Sequence, residues 1–113
     1  MNIEIMLSCL HELGDYDLQM NLWTGGMMPE FQSDFGEAIE GLFSDTGLSV
    51  ELDRGSTGFP SELVEILLEI DQLAREVDVS APPEELINSE VMFLIRENAA
   101  RAEALLRTHA ASN

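Results

Sequence analysis

Lysine is absent from this sequence, and all five basic side chains are arginines. The chain has a single cysteine, Cys9, so no disulfide can form within it and nothing indicates an oxidising compartment. No stretch reaches the ~20 apolar residues of a membrane span, and the N-terminal region lacks the basic residues of a signal peptide. These absences predict a cytoplasmic protein that does not associate with membranes.

Acidic side chains are the dominant feature that is present. The sequence has 22 Asp and Glu residues and a net charge of −17. Residues 1–53 contain 11 acids and no base, whereas residues 54–113 contain 11 acids and all five arginines. Such a charge repels nucleic acid and attracts basic proteins. Acidity also simply keeps proteins in solution, and that interpretation stays open.

The apolar residues indicate a folded, mainly helical chain. They make up 45% of the sequence, which is too high for a disordered acidic tail. Their spacing predicts four amphipathic helices. These cover residues 3–13, ended by Gly14; residues 29–43, opened by Pro29; residues 62–77, with Ser61 as N-cap; and a long helix from 84 or 89 to 108, after Pro82-Pro83.

The last two helices have further features. We predict that Asp71–Arg75, Glu97–Arg101 and Glu103–Arg107 form ion pairs one helical turn apart. Val64 and Leu68 lie off the main apolar stripe of residues 62–77, which suggests a helix buried on two sides. The buried face of the last helix is predicted to hold Val91, Leu94, Ile95, Asn98, Ala102, Leu105 and Leu106.

Two shorter segments show a strand-like alternation of apolar and polar residues. In residues 16–23 the alternation favours a strand or irregular structure, although Leu18, Leu22 and Trp23 also fit one helical turn. In residues 48–53 it predicts a half-exposed strand. The predicted fold is therefore mainly α: a single domain over residues 1–113, of about four helices with a short two-stranded β element, and with a frayed tail at 110–113.

The sequence patterns of common metal and catalytic sites are missing. A calcium loop starting at Asp45 fails, because Gly47 and Val50 take positions that need other residues. Cys9 and His11 are two positions apart, so on a helix they point to different faces. Carboxylate pairs for glycoside hydrolysis stay open, but sugar clefts usually have more aromatics than the 6% found here. We predict a protein that is not an enzyme and holds no metal and no cofactor.

A partner-binding surface is expected on the acidic side of the helix predicted at 29–43. The acids there have no basic neighbours in sequence. Trp23 precedes two glycines and two methionines, a combination that either forms an adaptable apolar contact or plugs the core beside Phe31. The residues predicted to contact a partner are Glu30, Asp34, Glu37, Glu40, Asp45, Glu51, Asp53 and Trp23.

With this acidic helix and the stretch WTGGMMPEF at residues 23–31, the chain resembles the small acidic immunity proteins of bacterial toxin–immunity systems. These include contact-dependent inhibition and polymorphic toxin systems. The resemblance lies in size, acidity and lack of catalytic motifs over the whole chain, so it transfers no residue roles and no fold. It implies a protein that binds and neutralises a cognate basic toxin domain, such as a nuclease. A DNA-mimic inhibitor of DNA-binding proteins and a non-catalytic adaptor subunit remain alternatives.

Overall fold

The computed structural model of the protein describes residues 1–25 and 33–112, and these residues are built from helices without any strand. The mainly α prediction is therefore confirmed, whereas the predicted two-stranded β element, and with it the count of about four helices, is wrong. Helix α3 continues directly into a π-helical segment, Gly41–Asp45. The seven α-helices of the described residues are α1 Ile3–Gly14, α2 Tyr16–Trp23, α3 Phe35–Glu40, α4 Leu48–Arg54, α5 Ser61–Ala74, α6 Pro83–Ile87 and α7 Glu90–Ala111.

Helix α2 replaces the strand expected at residues 16–23. It starts at the first residue after Asp15, whose side chain accepts a hydrogen bond from the backbone N–H of Leu18 at 2.9 Å. Its two buried side chains, Gln19 and Trp23, are four residues apart and therefore lie on one face of the helix. The Asp15 cap and the buried face formed by Gln19 and Trp23 favour a helix, although apolar and polar residues alternate in this segment.

Helix α4 replaces the strand expected at residues 48–53. Gly47 and Gly55 bracket it, both in the left-handed region with φ of 83° and 66°. Leu48 is buried and Leu52, one turn later, is partly buried, while Val50 is exposed. Alternating apolar residues over so short a run fit one helical face as well as one strand face.

Helix α3 begins at Phe35, because the Asp34 side chain accepts a hydrogen bond from the N–H of Glu37 at 2.7 Å. The helix start predicted at Pro29 lies outside the described residues. The π-helical segment that follows α3 ends just before Thr46, whose buried hydroxyl donates to the carbonyl of Leu42 at 2.6 Å.

The limits of α5 and α7 differ slightly from the prediction. Ser61 is the first residue of α5 and not its cap, and Pro60 takes the N-cap position without a side-chain hydrogen bond. Helix α7 is capped by Ser89, whose hydroxyl accepts from the N–H of Met92 at 3.3 Å. It continues to Ala111, so the first two residues of the frayed tail predicted at 110–113 are helical.

Helix α7 holds the fold together, because α1 and α5 both pack against it. Its backbone comes close to α1 at Gly14, where a Cβ atom would lie 3.2 Å from the backbone nitrogen of Ala100. The prediction for its buried face was partly wrong, since Leu94 is exposed and Met92 and Ala99 are buried. The buried residues that α1, α5 and α7 contribute to the core are Met6, Leu10, Leu13, Leu63, Ile66, Leu67, Ile70, Leu73, Met92, Ile95, Ala99, Ala102 and Leu106.

Side-chain ion pairs link and support these helices. The predicted pairs Arg75–Asp71 and Arg107–Glu103 are present, at 3.1 and 2.8 Å. Arg101 pairs with Glu62 of α5 at 3.5 Å and not with Glu97, since it lies on the side of α7 that faces α5. The arginine of each pair is largely exposed, so each pair stabilises the fold only slightly.

A buried glutamine fixes the corner between α1 and α2. Asp15 is the only residue between the two helices, and Gln19 is fully buried, with 0% of its surface exposed. Its Nε2 donates to the carbonyl oxygens of Glu12 at 3.0 Å and Leu13 at 2.8 Å. Carbonyls in the last turn of a helix lack intrahelical partners, so Gln19 caps α1 from the neighbouring helix.

Arg96 of α7 completes this network. Its Nη1 donates to Oε1 of Gln19 at 3.0 Å and to the carbonyl of Ile87, the last residue of α6, at 2.8 Å. Its guanidinium carbon lies 5.2 Å from the centre of the Tyr16 ring, within the range of a cation–π contact. One arginine therefore joins α2, α6 and α7.

Candidate partner-binding surface

Six of the seven acids predicted to contact a partner are in the described residues, and they lie at the start of α3, on α3, in the π-helical segment and on α4. Phe35 and Ala38 face the core and Ile39 packs partly against it, which leaves Gly36, Glu37 and Glu40 of α3 outward. Glu30 lies outside the described residues. Of the others, Asp34, Glu37, Glu40, Asp45 and Asp53 are exposed, and Glu51 is half-buried.

None of these acids takes part in an ion pair among the described residues. The arginine pairs use Asp71, Glu62 and Glu103 instead. Glu51 is engaged locally, because its Oε2 accepts from the Ser56 hydroxyl at 2.7 Å. The negative charge of this surface is therefore not neutralised by the arginines that form ion pairs, and it acts on approaching molecules.

Trp23 belongs to the core, with 3% of its surface exposed. Its Nε1–H donates to Oε2 of Glu12 at 2.7 Å, and the Ser33 hydroxyl donates to the same oxygen at 3.0 Å. The Phe35 ring packs edge-on against it, with ring centres 5.9 Å apart. Of the two roles that the sequence left open, the structure favours the core plug. Packing and this hydrogen bond hold the ring inside, so only the edge of Trp23 could contact a partner, and its predicted partner contact stays a prediction.

A shallow apolar cleft nevertheless reaches this tryptophan. It has a volume of about 350 Å³ and lies between α2, α3 and the segment that leads into α6. An adjoining depression shares Trp23, Asp34 and Pro83 with it and adds Ser33 and Glu37. Among the described residues, the cleft is lined by Trp23, Asp34, Phe35, Gly36, Val79, Ala81, Pro83 and Leu86.

The structure thus brings together three of the predicted contact residues: Trp23, Asp34 and Glu37. Glu40, Asp45, Glu51 and Asp53 do not line the cleft. Sequence reasoning missed Val79, which is 72% exposed, and Leu86 on the opposite wall. Val79 alternates with polar residues between Val77 and Ala81, just before Pro82-Pro83, and so short a run does not mark a contact surface.

Cys9 is half-buried in α1. A Cβ atom at Gly41 would lie only 2.9 Å from the Cys9 Sγ atom, so the thiol packs tightly against the π-helical segment. His11 instead contacts Glu103 of α7, with 3.3 Å between Nδ1 and Oε1. Burial, and then the negative charges of Glu12 and Asp45, raise the pKa of the Cys9 thiol above its ordinary value.

The raised pKa of Cys9 predicts how the reactivity of its thiol depends on pH. We expect Cys9 in the folded protein to react with iodoacetamide at a midpoint pH above that of the same chain in urea, because only the thiolate attacks. Asp45→Asn should lower the midpoint only partly, since burial contributes most. The folded thiol holds its proton more tightly, so the free energy of unfolding should fall as the pH rises past the ordinary thiol pKa. Equal midpoints in the folded and unfolded chain would contradict this account.

Two further properties concern the described residues as a whole. Within residues 1–25 and 33–112, no three His, Cys, Asp or Glu side chains are grouped so that they could hold a metal ion. None of the helices in the described residues combines the length and apolar character needed to cross a membrane. The exposed acids are therefore spread over a surface and do not converge on one point.

Three comparisons with known proteins were made: with protein-family models, with curated proteins and with solved structures. None of the three gives a match to this chain.

Proposed function

We propose that this protein is an inhibitor that binds and neutralises one basic cognate protein, as the immunity proteins of bacterial toxin systems do. One observation carries the proposal: an apolar cleft that reaches Trp23 has Asp34 and Glu37 on its rim. An apolar centre with charged residues at its edge is the usual arrangement of a protein-binding site. The proposed site of action is the bacterial cytoplasm.

The charge distribution favours a basic partner. The half of the chain that carries α1 to α4 has 11 acids and, up to Asp53, no base. Long-range attraction between an acidic protein and a basic partner raises the association rate. An inhibitor needs a high association rate, because it must bind its target before damage occurs. A nuclease is a suitable target, because a surface that binds phosphates is positive and an acidic protein can cover it.

Four of the five arginines contact other groups of the fold, and the fifth, Arg54, is exposed at the end of α4. Arg96 joins three helices, and Arg75, Arg101 and Arg107 pair with acids of α5 and α7. Among the described residues, no acid up to Asp53 takes part in an arginine pair, whereas Glu62, Asp71 and Glu103 do. This distribution supports a binding surface on α3 and α4.

The test starts from affinity capture in the organism that encodes the protein, with elution in a salt gradient and mass spectrometry. We expect one basic protein, released only at high salt, whose toxicity on expression is relieved by co-expression of this chain. Several unrelated DNA-binding proteins would favour the DNA-mimic alternative. A stable oligomer of the chain itself, with no other partner, would favour the adaptor alternative.

Charge removal at the rim gives a quantitative prediction. In the double variant Asp34→Asn/Glu37→Gln, we expect the association rate with the captured partner to fall about tenfold at low salt, since two steering charges are lost. Asn caps helices as well as Asp does, so α3 should remain intact. The measurement is stopped-flow association at two salt concentrations.

The matched control is Glu65→Gln/Glu69→Gln, which removes the same charge from the exposed side of α5. We expect the control to change the association rate less than twofold. Equal effects of the two double variants would show that only net charge matters, and the proposed surface would then be wrong.

A further inference from the structure

The cleft differs chemically from the rest of the acidic surface. Its walls are Phe35, Ala81 and Leu86, with the edge of Trp23 and the exposed Val79 beside them. Carboxylates stand on the α3 side only, at Asp34 and Glu37. A ligand that fills the cleft therefore meets apolar groups at one end and negative charge at the other.

The size of the cleft limits what it can hold. Its volume of about 350 Å³ is near the lower end of the roughly 300–1,000 Å³ that small-molecule pockets have. This space fits one large side chain and not a whole helix. Single aromatic or arginine side chains in pockets of this kind often provide most of the binding energy of an interface.

The carboxylates of Asp34 and Glu37 have oxygen atoms that accept no hydrogen bond within the described residues. Asp34 uses Oδ1 to cap α3, and its Oδ2 makes no hydrogen bond within the described residues. The Glu37 carboxylate likewise has no partner there. A cationic side chain that approaches the cleft can therefore bond to both residues without breaking the helix cap.

We propose that the cleft takes one large apolar side chain of the basic partner, next to an arginine or lysine that pairs with Asp34 and Glu37. The inference rests on the proposed inhibitor function and specifies the part of the partner that is recognised. The partner's chemistry follows from charge complementarity, because the rim and the whole first half of the chain are anionic.

The test uses the full-length protein and short peptides. Trp23 is the only tryptophan, so its indole N–H gives a single NMR signal from the residue at the inner end of the cleft. We expect acetyl-Arg-Phe-Arg-amide to shift this signal saturably, and acetyl-Arg-Ala-Arg-amide to bind at least fivefold more weakly. Ala81→Phe, which fills the cleft without changing the charge, should abolish the difference between the two peptides.

The charge variants provide the second measurement. Asp34→Asn/Glu37→Gln should weaken binding of the phenylalanine peptide at least threefold, and Glu65→Gln/Glu69→Gln should leave it unchanged. Equal binding of the two peptides, or no shift with either, would overturn the proposal. If the captured partner were still sensitive to the Asp34/Glu37 variant in that case, the inhibitor function would stand and only the cleft assignment would fail.

Discussion

Replacing Gln19 with methionine is expected to lower the free energy of unfolding by about 3 kcal/mol. Methionine has nearly the same length and fits the site, but it donates no hydrogen bond. The carbonyls of Glu12 and Leu13 would lose their donor, and Arg96 would lose one acceptor. Each buried polar group left without a partner costs roughly 1–3 kcal/mol. Urea unfolding followed by circular dichroism measures the loss.

Gln72→Met is the matched control, because Gln72 is an exposed glutamine within α5. We expect it to change the free energy of unfolding by less than about 0.5 kcal/mol. If Gln19→Met were equally harmless, the corner between α1 and α2 would not depend on this network.

Gly14→Val is expected to destabilise the protein by about 3 kcal/mol, close to the upper end for an overpacked site. A Cβ atom at this position would already lie 3.2 Å from the Ala100 nitrogen and 3.5 Å from its Cα atom. These are backbone atoms of α7, so they cannot move aside as the end of a side chain can. The two methyl groups of valine would force α1 away from α7.

The same substitution at Gly36 serves as the comparison. Gly36 also lies in a helix, but it is exposed, and a Cβ atom there would meet only the Asp34 side chain, at 3.3 Å. We expect Gly36→Val to change stability by less than about 0.5 kcal/mol, since valine is slightly the better helix former. Thermal unfolding of both variants would show whether close helix contact, and not loss of glycine as such, is the cause. Similar melting temperatures of Gly14→Val and Gly36→Val would contradict the role of close helix contact.

The long helices could be predicted from the sequence because their apolar stripes extend over several turns. In α1 the spacing of Met6, Leu10 and Leu13 fits only a helix, and all three are buried. In α2 and α4 the apolar residues are too few to separate a period of two from one of 3.6. The decisive features were local: the cap at Asp15 and the left-handed glycines around α4.

The candidate site was less predictable than the fold. The acidic face of α3 follows from helical spacing, and Asp34 and Glu37 are on it. The apolar wall opposite comes from Val79 and Leu86, which are distant in sequence and carry no pattern that joins them to Trp23. The partner of Arg101 was equally hard to predict, because Glu62 is on another helix and is distant in sequence. Contacts between separate elements depend on packing, which composition and periodicity do not encode.

The central position of α7 has a consequence for synthesis on the ribosome. The Gln19–Arg96 and His11–Glu103 contacts join residues 77 and 92 positions apart. At about 5–20 residues per second, the ribosome needs roughly 4–15 s to extend the chain by the 77 residues from Gln19 to Arg96. Throughout that interval the apolar face of α1 lacks the helix that covers it. The nascent chain up to Asp53 carries acids and no bases, so charge repulsion keeps it away from ribosomal RNA and from other copies until α7 is made.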